Sequence, residues 1–182
     1  MNLLVLGFDN YNDIELSTTL SVLKVANIFE KITFFSTDAK AIKGQYGLTK
    51  FETTNQIDLE SYHALFIPGG QGAKILLNDD KAQNIVKIFL AKDKYIFAIC
   101  DAPNMLMHRS ILPVECRYSS YPLCGRNYNV GINRSTKKVN VDNKIVTASC
   151  PGASFDFAIE IVKVLKGDEA KSAILNQMYP SE

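Results

Sequence analysis

The chain has 182 residues, of which 47% are hydrophobic and 21% charged, and its 20 basic and 19 acidic side chains leave a net charge of +1. These proportions are those of one folded domain, and they exclude a disordered or low-complexity chain. No basic run is longer than Lys137-Lys138, and no apolar stretch approaches the ~18 residues that a membrane helix requires. Neither a nucleic acid nor a membrane is therefore an expected partner.

The N-terminal sequence and the cysteine content indicate the cellular compartment. The apolar run of MNLLVLGFDN ends at Gly7 and follows no basic segment, which predicts a strand rather than a secretory signal. Cys100, Cys116, Cys124 and Cys150 are too sparse for a disulfide framework, and they show neither a C-x-x-C pair nor zinc-ligand spacing. We therefore expect a cytoplasmic protein with reduced thiols.

Short apolar runs alternate with segments of helical periodicity, a pattern typical of α/β proteins. Asn2–Gly7 is almost continuously apolar, as expected for a strand covered on both faces. Leu16, Leu20 and Leu23 form the apolar stripe of an amphipathic helix. That helix is predicted at Asp13–Asn27, with Asp13 as its cap. The further elements predicted before residue 100 are a strand at Lys31–Ser36, a hairpin-like excursion at Gly44–Thr53, a strand at Ala64–Ile67, a helix at Asp80–Ala91 and a strand at Tyr95–Ile99.

The second half of the chain continues the alternation. Pro103 is placed to open a helix directly after Cys100, since a first-turn proline loses no intrahelical hydrogen bond. Val139–Val141 and Lys144–Thr147 flank Asp142-Asn143, which predicts a two-residue hairpin turn. The remaining predicted helices are Ser154–Lys166, ended by Gly167, and a last helix that Asp168 caps and that runs to about Gln177.

Strands that alternate with helices predict right-handed βαβ units, and hence a mainly parallel sheet with helices on both faces. In such sheets the functional site lies at the carboxyl ends of the strands. Three segments follow strands directly and should meet there, namely Phe8–Glu15, Pro68–Gly72 and Ile99–Pro103.

Cys100 is the sharpest candidate for chemistry at that edge. A residue between a buried strand and a helix lies on a tight elbow, as nucleophiles do in other α/β enzymes. The free N–H groups and the dipole of the following helix favour a thiolate and predict a lowered cysteine pKa. The alternative from position alone is a buried core cysteine. Asp101 has two possible effects at this position. Its negative charge opposes a thiolate on Cys100, and its carboxylate is suited to cap the following helix.

The other candidates carry weaker signals. Gly69 and Gly70 could present amides to an oxyanion, although an ordinary tight turn explains the P-G-G sequence equally well. Glu15 lies in a first helical turn, where a solvated carboxylate is common. His63 precedes a strand and is predicted at the surface. His108 lies about two turns beyond Cys100 and is interpreted as structural, which leaves no obvious histidine for a peptidase dyad.

Taken together, these segments resemble the ThiJ/PfpI family, which includes the parkinsonism-associated deglycase. The resemblance rests on the order of five stretches and covers nearly the whole chain. They are Asp13-Ile14-Glu15, Ala64–Gly70 (ALFIPGG), Phe97–Pro103 (FAICDAP), Pro151–Ile161 (PGASFDFAIEI) and Lys166–Ala170 (KGDEA).

The resemblance implies a fold, a domain organisation and a set of roles. The fold would be a flavodoxin-like, class I glutamine amidotransferase-like three-layer α/β sandwich. It would form a single domain over residues 1–182, usually as a homodimer. Cys100 would be the nucleophile, and Glu15 a protonated carboxyl hydrogen-bonded to its sulfur. The amides of Gly69, Gly70 and Asp101 would line an anion-binding hollow.

Two positions depart from the pattern of that family. Asp101 stands where the peptidase-like branch has a histidine directly after the cysteine. Tyr121, in the sequence SSYPL, stands where a histidine is common before the proline. Tyr121 could hydrogen-bond a substrate or the thiol, but it is a poor base at neutral pH.

The leading hypothesis is a cofactor-free enzyme of the glyoxalase or deglycase type, in which Cys100 attacks a reactive carbonyl and Glu15 moves the proton. The substrate would be a small reactive carbonyl or a glycated molecule. The alternative is an oxidative-stress sensor or chaperone-like protein that acts through Cys100 oxidation. A cysteine peptidase or amidase, the third hypothesis, would need a histidine from across a dimer interface.

Overall fold

A computed structural model describes residues 1–38, 40–122, 127–128 and 131–180. The strands are β1 (Asn2–Leu6), β2 (Lys31–Phe35), β3 (Ile42–Lys43), β4 (Lys50–Phe51), β5 (Ala64–Ile67), β6 (Tyr95–Ile99), β7 (Tyr118–Ser119), β8 (Arg134–Ser135), β9 (Val139–Asp142) and β10 (Ile145–Ala148). Six of them form the central sheet, in the order β2-β1-β5-β6-β10-β9. The helices are α1 (Asp13–Val25), α2 (Asp80–Ala91), α3 (Asp101–His108) and α4 (Ser154–Met178), with a 3₁₀-helix at Gln71–Leu77.

The sheet is parallel except at one edge. β1 pairs in parallel with β2 and β5, β5 with β6, and β6 with β10. β9 and β10 form the predicted antiparallel hairpin, and its turn residue Asn143 has a φ of 53°. Because β1, β5 and β6 are neighbours, the segments that follow them come together at the carboxyl edge, as the sequence predicts.

Helices cover the sheet in two groups. α1 packs on α4, whereas α2 and α3 pack with the 3₁₀-helix. Phe66 of β5 meets Phe157 of α4 with ring centroids 6.0 Å apart, and both side chains are fully buried. The flavodoxin-like α/β sandwich expected from the sequence is therefore confirmed. No helix in the described part of the chain is both long and apolar enough to span a bilayer.

Two local expectations need correction. α1 is capped by Asn12, whose Oδ1 accepts hydrogen bonds from the amides of Ile14 (3.1 Å) and Glu15 (3.3 Å), and not by Asp13. The turn between β9 and β10 is Asn143-Lys144, one residue beyond the predicted Asp142-Asn143, because Asp142 still pairs with Ile145. Gly167 (φ 85°) breaks the helical backbone as predicted, and helical structure resumes directly after it and runs to Met178, which confirms the predicted last helix.

Candidate functional site

Cys100 lies on a sharp turn between the end of β6 and the start of α3. Its φ of 64° and ψ of −118° are unusual for a residue with a side chain, and such strain is retained only where neighbouring groups fix the backbone. Two hydrogen bonds do so. The Cys100 amide donates to the carbonyl of Ala148 at 2.9 Å, and the Tyr121 amide donates to the carbonyl of Cys100 at 2.8 Å. The elbow that the sequence predicts is present and is held from both sides.

Glu15 is fully buried in the first turn of α1 and extends toward the turn after β5. Its Oε2 accepts a hydrogen bond of 2.7 Å from the Gly69 amide. In the reverse direction, the Asn12 amide donates to the Gly69 carbonyl at 3.0 Å. Among the described residues, no N–H or O–H group donates to Oε1. The carboxyl therefore interacts with one backbone amide and with the Cys100 thiol.

The electrostatics of the pair follow from its burial. Desolvation raises the pKa of Glu15 to about 7, against the lowering effect of the Cys100 thiol and the Gly69 amide. Burial also raises the pKa of the Cys100 thiol, and the negative charges of Glu15 and Asp101 add to that effect, whereas the Gly70 amide opposes it. The two groups are coupled, so that a thiolate is favoured only while Glu15 holds a proton.

The direction of the thiol shift differs from the sequence-based expectation. Position at a helix N-terminus predicts a lowered cysteine pKa, because the dipole attracts a negative charge. Here Cys100 is only 5% exposed and faces two carboxyl groups, so that desolvation and like-charge repulsion outweigh the dipole. The resemblance-based expectation of a protonated Glu15 is compatible with its raised pKa.

Gly69 and Gly70, the glycines of the P-G-G turn, allow the Cys100 elbow and the start of α1 to lie close to each other. A Cβ on Gly69 would lie 2.4 Å from the Cβ of Cys100 and 2.6 Å from Oε2 of Glu15. Gly70 has a φ of 98°, a conformation that side chains disfavour. The Gly69 amide was expected to face a bound oxyanion, but it donates to Glu15 instead. Of the two, the Gly70 amide is the one directed at the thiol.

Asn104 connects the two remaining candidates, Asp101 and Tyr121. Asp101 is buried at the start of α3, and its Oδ1 accepts a hydrogen bond from Asn104 Nδ2 at 3.2 Å. The same Nδ2 donates to the carbonyl of Tyr121 at 2.9 Å. Sequence reasoning missed Asn104, although its spacing of three residues from Asp101 within a helix was a usable signal.

A cleft of about 440 Å³ opens beside Tyr121. Arg134 lines it, and the Arg134 guanidinium donates to the carbonyl of Tyr121 at 3.2 Å. Cys150 is half-buried and lines the same cleft. Neither residue belongs to a local motif, so no sequence pattern indicated that they lie next to the elbow.

Cys116 and the two histidines lie in structural settings. Burial, followed by the charge of Asp142, raises the pKa of Cys116 to about 12, and Cys124 lies outside the described residues. His63 is exposed, and its Nδ1 accepts a hydrogen bond from the amide of Asn2 at 3.0 Å. The ring of His108 packs edge-on against Tyr128. Within the described ranges, no three His, Cys, Asp or Glu side chains are placed to hold a metal ion.

A mainly parallel sheet, with a cysteine elbow at its carboxyl edge and a buried carboxyl beside the thiol, defines a flavodoxin-like α/β protein with a cysteine-centred site. The model of the DJ-1/PfpI family matches residues 1–164 of the chain. The chain belongs to this family, which confirms the resemblance drawn from its motifs.

Relatives that carry different functional names align along most of the chain. A protein of Mycoplasma genitalium called uncharacterized protein MG029 is 33% identical over 99% of this chain and 97% of its own. Deglycase PYRAB04690 of Pyrococcus abyssi is 28% identical over 91% of this chain and 100% of its own. The putative cysteine protease YraA of Bacillus subtilis is 26% identical over 89% and 96%. The structure of oxidized Toxoplasma gondii DJ-1 superposes with a TM-score of 0.84 at 24% identity, covering 100% of this chain and 99% of that one.

Proposed function

We propose that this protein is a cofactor-free, cysteine-dependent enzyme of the cytoplasm that acts on small reactive carbonyls or on glycated molecules. The observation that carries the proposal is the contact between the strained Cys100 elbow and the buried carboxyl of Glu15. The pair combines a nucleophile with a proton carrier whose pKa is about 7, near the pH at which general acid–base catalysis is most efficient. The deglycase name of the Pyrococcus abyssi relative supports the same class of substrate.

The proposed reaction with methylglyoxal needs only these two side chains and water. The Cys100 sulfur bonds to the aldehyde carbon, and the carbonyl oxygen takes up a proton, which gives a hemithioacetal. Glu15, as a carboxylate, removes the hydrogen of that carbon as a proton and returns it to the neighbouring ketone carbon, while the hemithioacetal hydroxyl gives up its proton to the former ketone oxygen. The product is a thioester, and water hydrolyses it to the hydroxy acid and the free thiol. The Gly70 amide would stabilise the oxyanion.

The first experiment measures lactate production from methylglyoxal by the wild type, Cys100→Ser and Glu15→Gln. Each substitution is expected to lower kcat/KM at least about 100-fold, because a nucleophile or a general base is lost. Cys116→Ala, which removes a buried thiol away from the elbow, is the matched control and should retain activity. Turnover that survives both Cys100→Ser and Glu15→Gln would refute the proposal.

Oxidation of Cys100 as a stress signal is the second candidate function. The Glu15 carboxyl and the Gly70 amide both interact with this sulfur, and such contacts would also stabilise an oxidised form. Mild peroxide followed by mass spectrometry of the cysteine peptides tests the idea. The expected result is oxygen on Cys100 before Cys116, Cys124 and Cys150. If another cysteine is oxidised first, this candidate is excluded.

A peptidase or amidase activity remains the weakest candidate, although the Bacillus subtilis relative carries a protease name. Asp101 occupies the position directly after the cysteine, and a carboxylate there cannot take the role of a histidine base for peptide hydrolysis. We expect purified protein to leave casein intact. Casein cleavage that disappears in Cys100→Ser would reverse this ranking.

We also propose that the protein acts as a homodimer. Ile14, Tyr46 and Leu48 are 48%, 55% and 78% exposed, and the Asp13 carboxylate accepts hydrogen bonds from the amides of Tyr46 and Leu48. These large apolar side chains therefore share one part of the surface, as interface residues do. Sedimentation equilibrium should give twice the chain mass for the wild type and a weaker dimer for Leu48→Lys. A wild type that stays monomeric would contradict this proposal.

A further inference from the structure

The cleft beside Tyr121 has the chemistry of an anion site. It has a volume of about 440 Å³, enough for part of a small molecule, and hydroxyl-bearing side chains contribute much of its wall. Ser120, Ser135, Thr136 and Ser149 supply these hydroxyls, and Arg134 supplies a positive charge. Among the residues described as lining the cleft, Arg134 is the only charged one. Hydroxyl donors around a single cation favour a negatively charged ligand.

The guanidinium of Arg134 is fixed before any ligand arrives. Its Nε donates to Ser120 Oγ at 2.7 Å, and Nη2 donates to the carbonyls of Ser120 at 2.9 Å and Tyr121 at 3.2 Å. Nη1 donates to no residue that the structure describes. Three of the five N–H groups thus hold the side chain in place, and no described residue takes up those on Nη1. A preorganised donor loses little conformational entropy on binding.

Backbone hydrogen bonds place this cleft next to the elbow. The Tyr121 amide donates to the carbonyl of Cys100, and the Cys100 amide donates to the carbonyl of Ala148. Ser149, the residue after Ala148, lines the cleft, as does Tyr121. Two of the three segments that line the cleft are therefore continuous with the residues that hold the Cys100 backbone.

We infer that Arg134 and the surrounding hydroxyls form a subsite for an anionic group of the substrate, a carboxylate or a phosphate attached to the reactive carbonyl or its adduct. This inference rests on the proposed function of Cys100 and names the substrate class within it. The subsite would hold the non-reacting end of the molecule during the reaction. In a hemithioacetal adduct the C–S bond breaks first, the hydroxyl proton passes to the departing sulfur, and Cys100 then bonds to the aldehyde carbon so released. An anionic adduct would then be processed more efficiently than a neutral adduct of the same shape.

The test compares two methylglyoxal hemithioacetals that differ by one carboxylate, those of N-acetylcysteine and N-acetylcysteamine. In the wild type, kcat/KM is expected to be about tenfold higher for the carboxylate adduct, as for one charge-assisted hydrogen bond. Arg134→Gln should bring the ratio close to one, because the loss of kcat/KM falls mainly on the carboxylate adduct. Arg134→Lys keeps the positive charge but loses the planar arrangement of N–H donors, so it should retain part of the preference for the carboxylate adduct.

The neutral adduct separates a binding role of Arg134 from a structural one. If Arg134 only positions Tyr121, Arg134→Gln will lower turnover of both adducts equally, which overturns the inference. If the wild type shows similar kcat/KM values for the two adducts, the inference is overturned before Arg134 is substituted, and the proposed function still stands. Competition by acetate and by inorganic phosphate against the carboxylate adduct distinguishes the two anions, since the preferred one will inhibit at the lower concentration.

If neither free methylglyoxal nor either adduct shows Cys100-dependent turnover, the proposed function fails and the cleft is tested by binding alone. Calorimetric titration of the Cys100→Ser protein with N-acetylglycine and with N-ethylacetamide compares a carboxylate with a neutral analogue. Binding of N-acetylglycine that Arg134→Gln abolishes would support the anion subsite independently. Equal or absent binding of both compounds would refute it.

Discussion

The Gly69 amide donates a hydrogen bond of 2.7 Å to Oε2 of Glu15, and this contact joins the first helix to the turn after β5. It removes one amide from the set that could stabilise an oxyanion. It also holds the carboxyl close to the thiol. The space around Gly69 is tight, since a Cβ there would lie 2.6 Å from Oε2 and 2.4 Å from the Cβ of Cys100. The site is thus assembled around a position that has no room for a side chain.

Gly69→Ala should therefore disable the site. The added methyl group must displace the elbow or Glu15, and overpacking of this kind typically costs about 1–3 kcal/mol of unfolding free energy. Methylglyoxal turnover should fall along with urea stability. Gly152→Ala is the control, since its Cβ would find only Cys150 Sγ, at 4.0 Å. A Gly69→Ala protein with wild-type turnover would show that the site tolerates a side chain at this position.

The reactivity of Cys100 should depend on the charge of Glu15. Above pH 7 the ionised carboxylate opposes a thiolate, so Glu15→Gln should lower the pKa of Cys100. We expect iodoacetamide to alkylate Cys100 about tenfold faster in Glu15→Gln than in the wild type at pH 8. Glu52→Gln, whose side chain is 82% exposed, is the control. Slower alkylation of Glu15→Gln would instead identify Glu15 as the base that deprotonates the thiol.

The same substitution should change how stability depends on pH. The pKa of Glu15 is about 7 in the folded protein and about 4.3 in an unfolded chain. Its stabilising contribution is therefore complete below about pH 4.3 and is lost as the pH rises through 7. Glutamine does not ionise, so Glu15→Gln keeps its stability over this range. The unfolding free energy of Glu15→Gln minus that of the wild type should therefore rise by roughly 3 kcal/mol between pH 4 and 8. Urea denaturation at several pH values measures the difference, and a constant difference would contradict the buried ionisation.

Asp13 stabilises the hairpin of β3 and β4. Its carboxylate accepts hydrogen bonds from the amides of Tyr46, Leu48 and Thr49 and from the Thr49 hydroxyl. Burial favours the neutral form, but these bonds outweigh it and lower the pKa of Asp13. Asp13→Asn should cost about 1–3 kcal/mol at pH 7, because the amide group of asparagine would face N–H donors.

Acid should reduce that cost. A carboxyl with a lowered folded-state pKa stabilises above its unfolded pKa of about 3.9, and the contribution is lost as the pH falls through the folded value. The difference in unfolding free energy between the wild type and Asp13→Asn should therefore shrink as the pH falls. Asp38→Asn, at a side chain that is 61% exposed, should lie within about 0.5 kcal/mol of the wild type. A gap that persists unchanged in acid would assign the effect of Asp13 to packing.

The sequence by itself determined the elements and the order in which they meet. Apolar runs and helical periodicity are properties of neighbouring residues, and they located the strand before Cys100, the strand before Gly69 and the break at Gly167. The parallel topology follows from the alternation of these elements. It brings three strand ends to one edge without any knowledge of distant contacts.

Only the tertiary structure decided the charges and hydrogen bonds of the site. Desolvation depends on every segment that covers a group, so the raised pKa values of Glu15 and Cys100 could not be read from a local pattern. The donation from Gly69 to Glu15 and the approach of Arg134 to Tyr121 likewise join residues that are far apart in the chain. Local sequence specifies where the backbone turns. The electrostatics of the buried edge depend on packing between segments that the sequence does not place side by side.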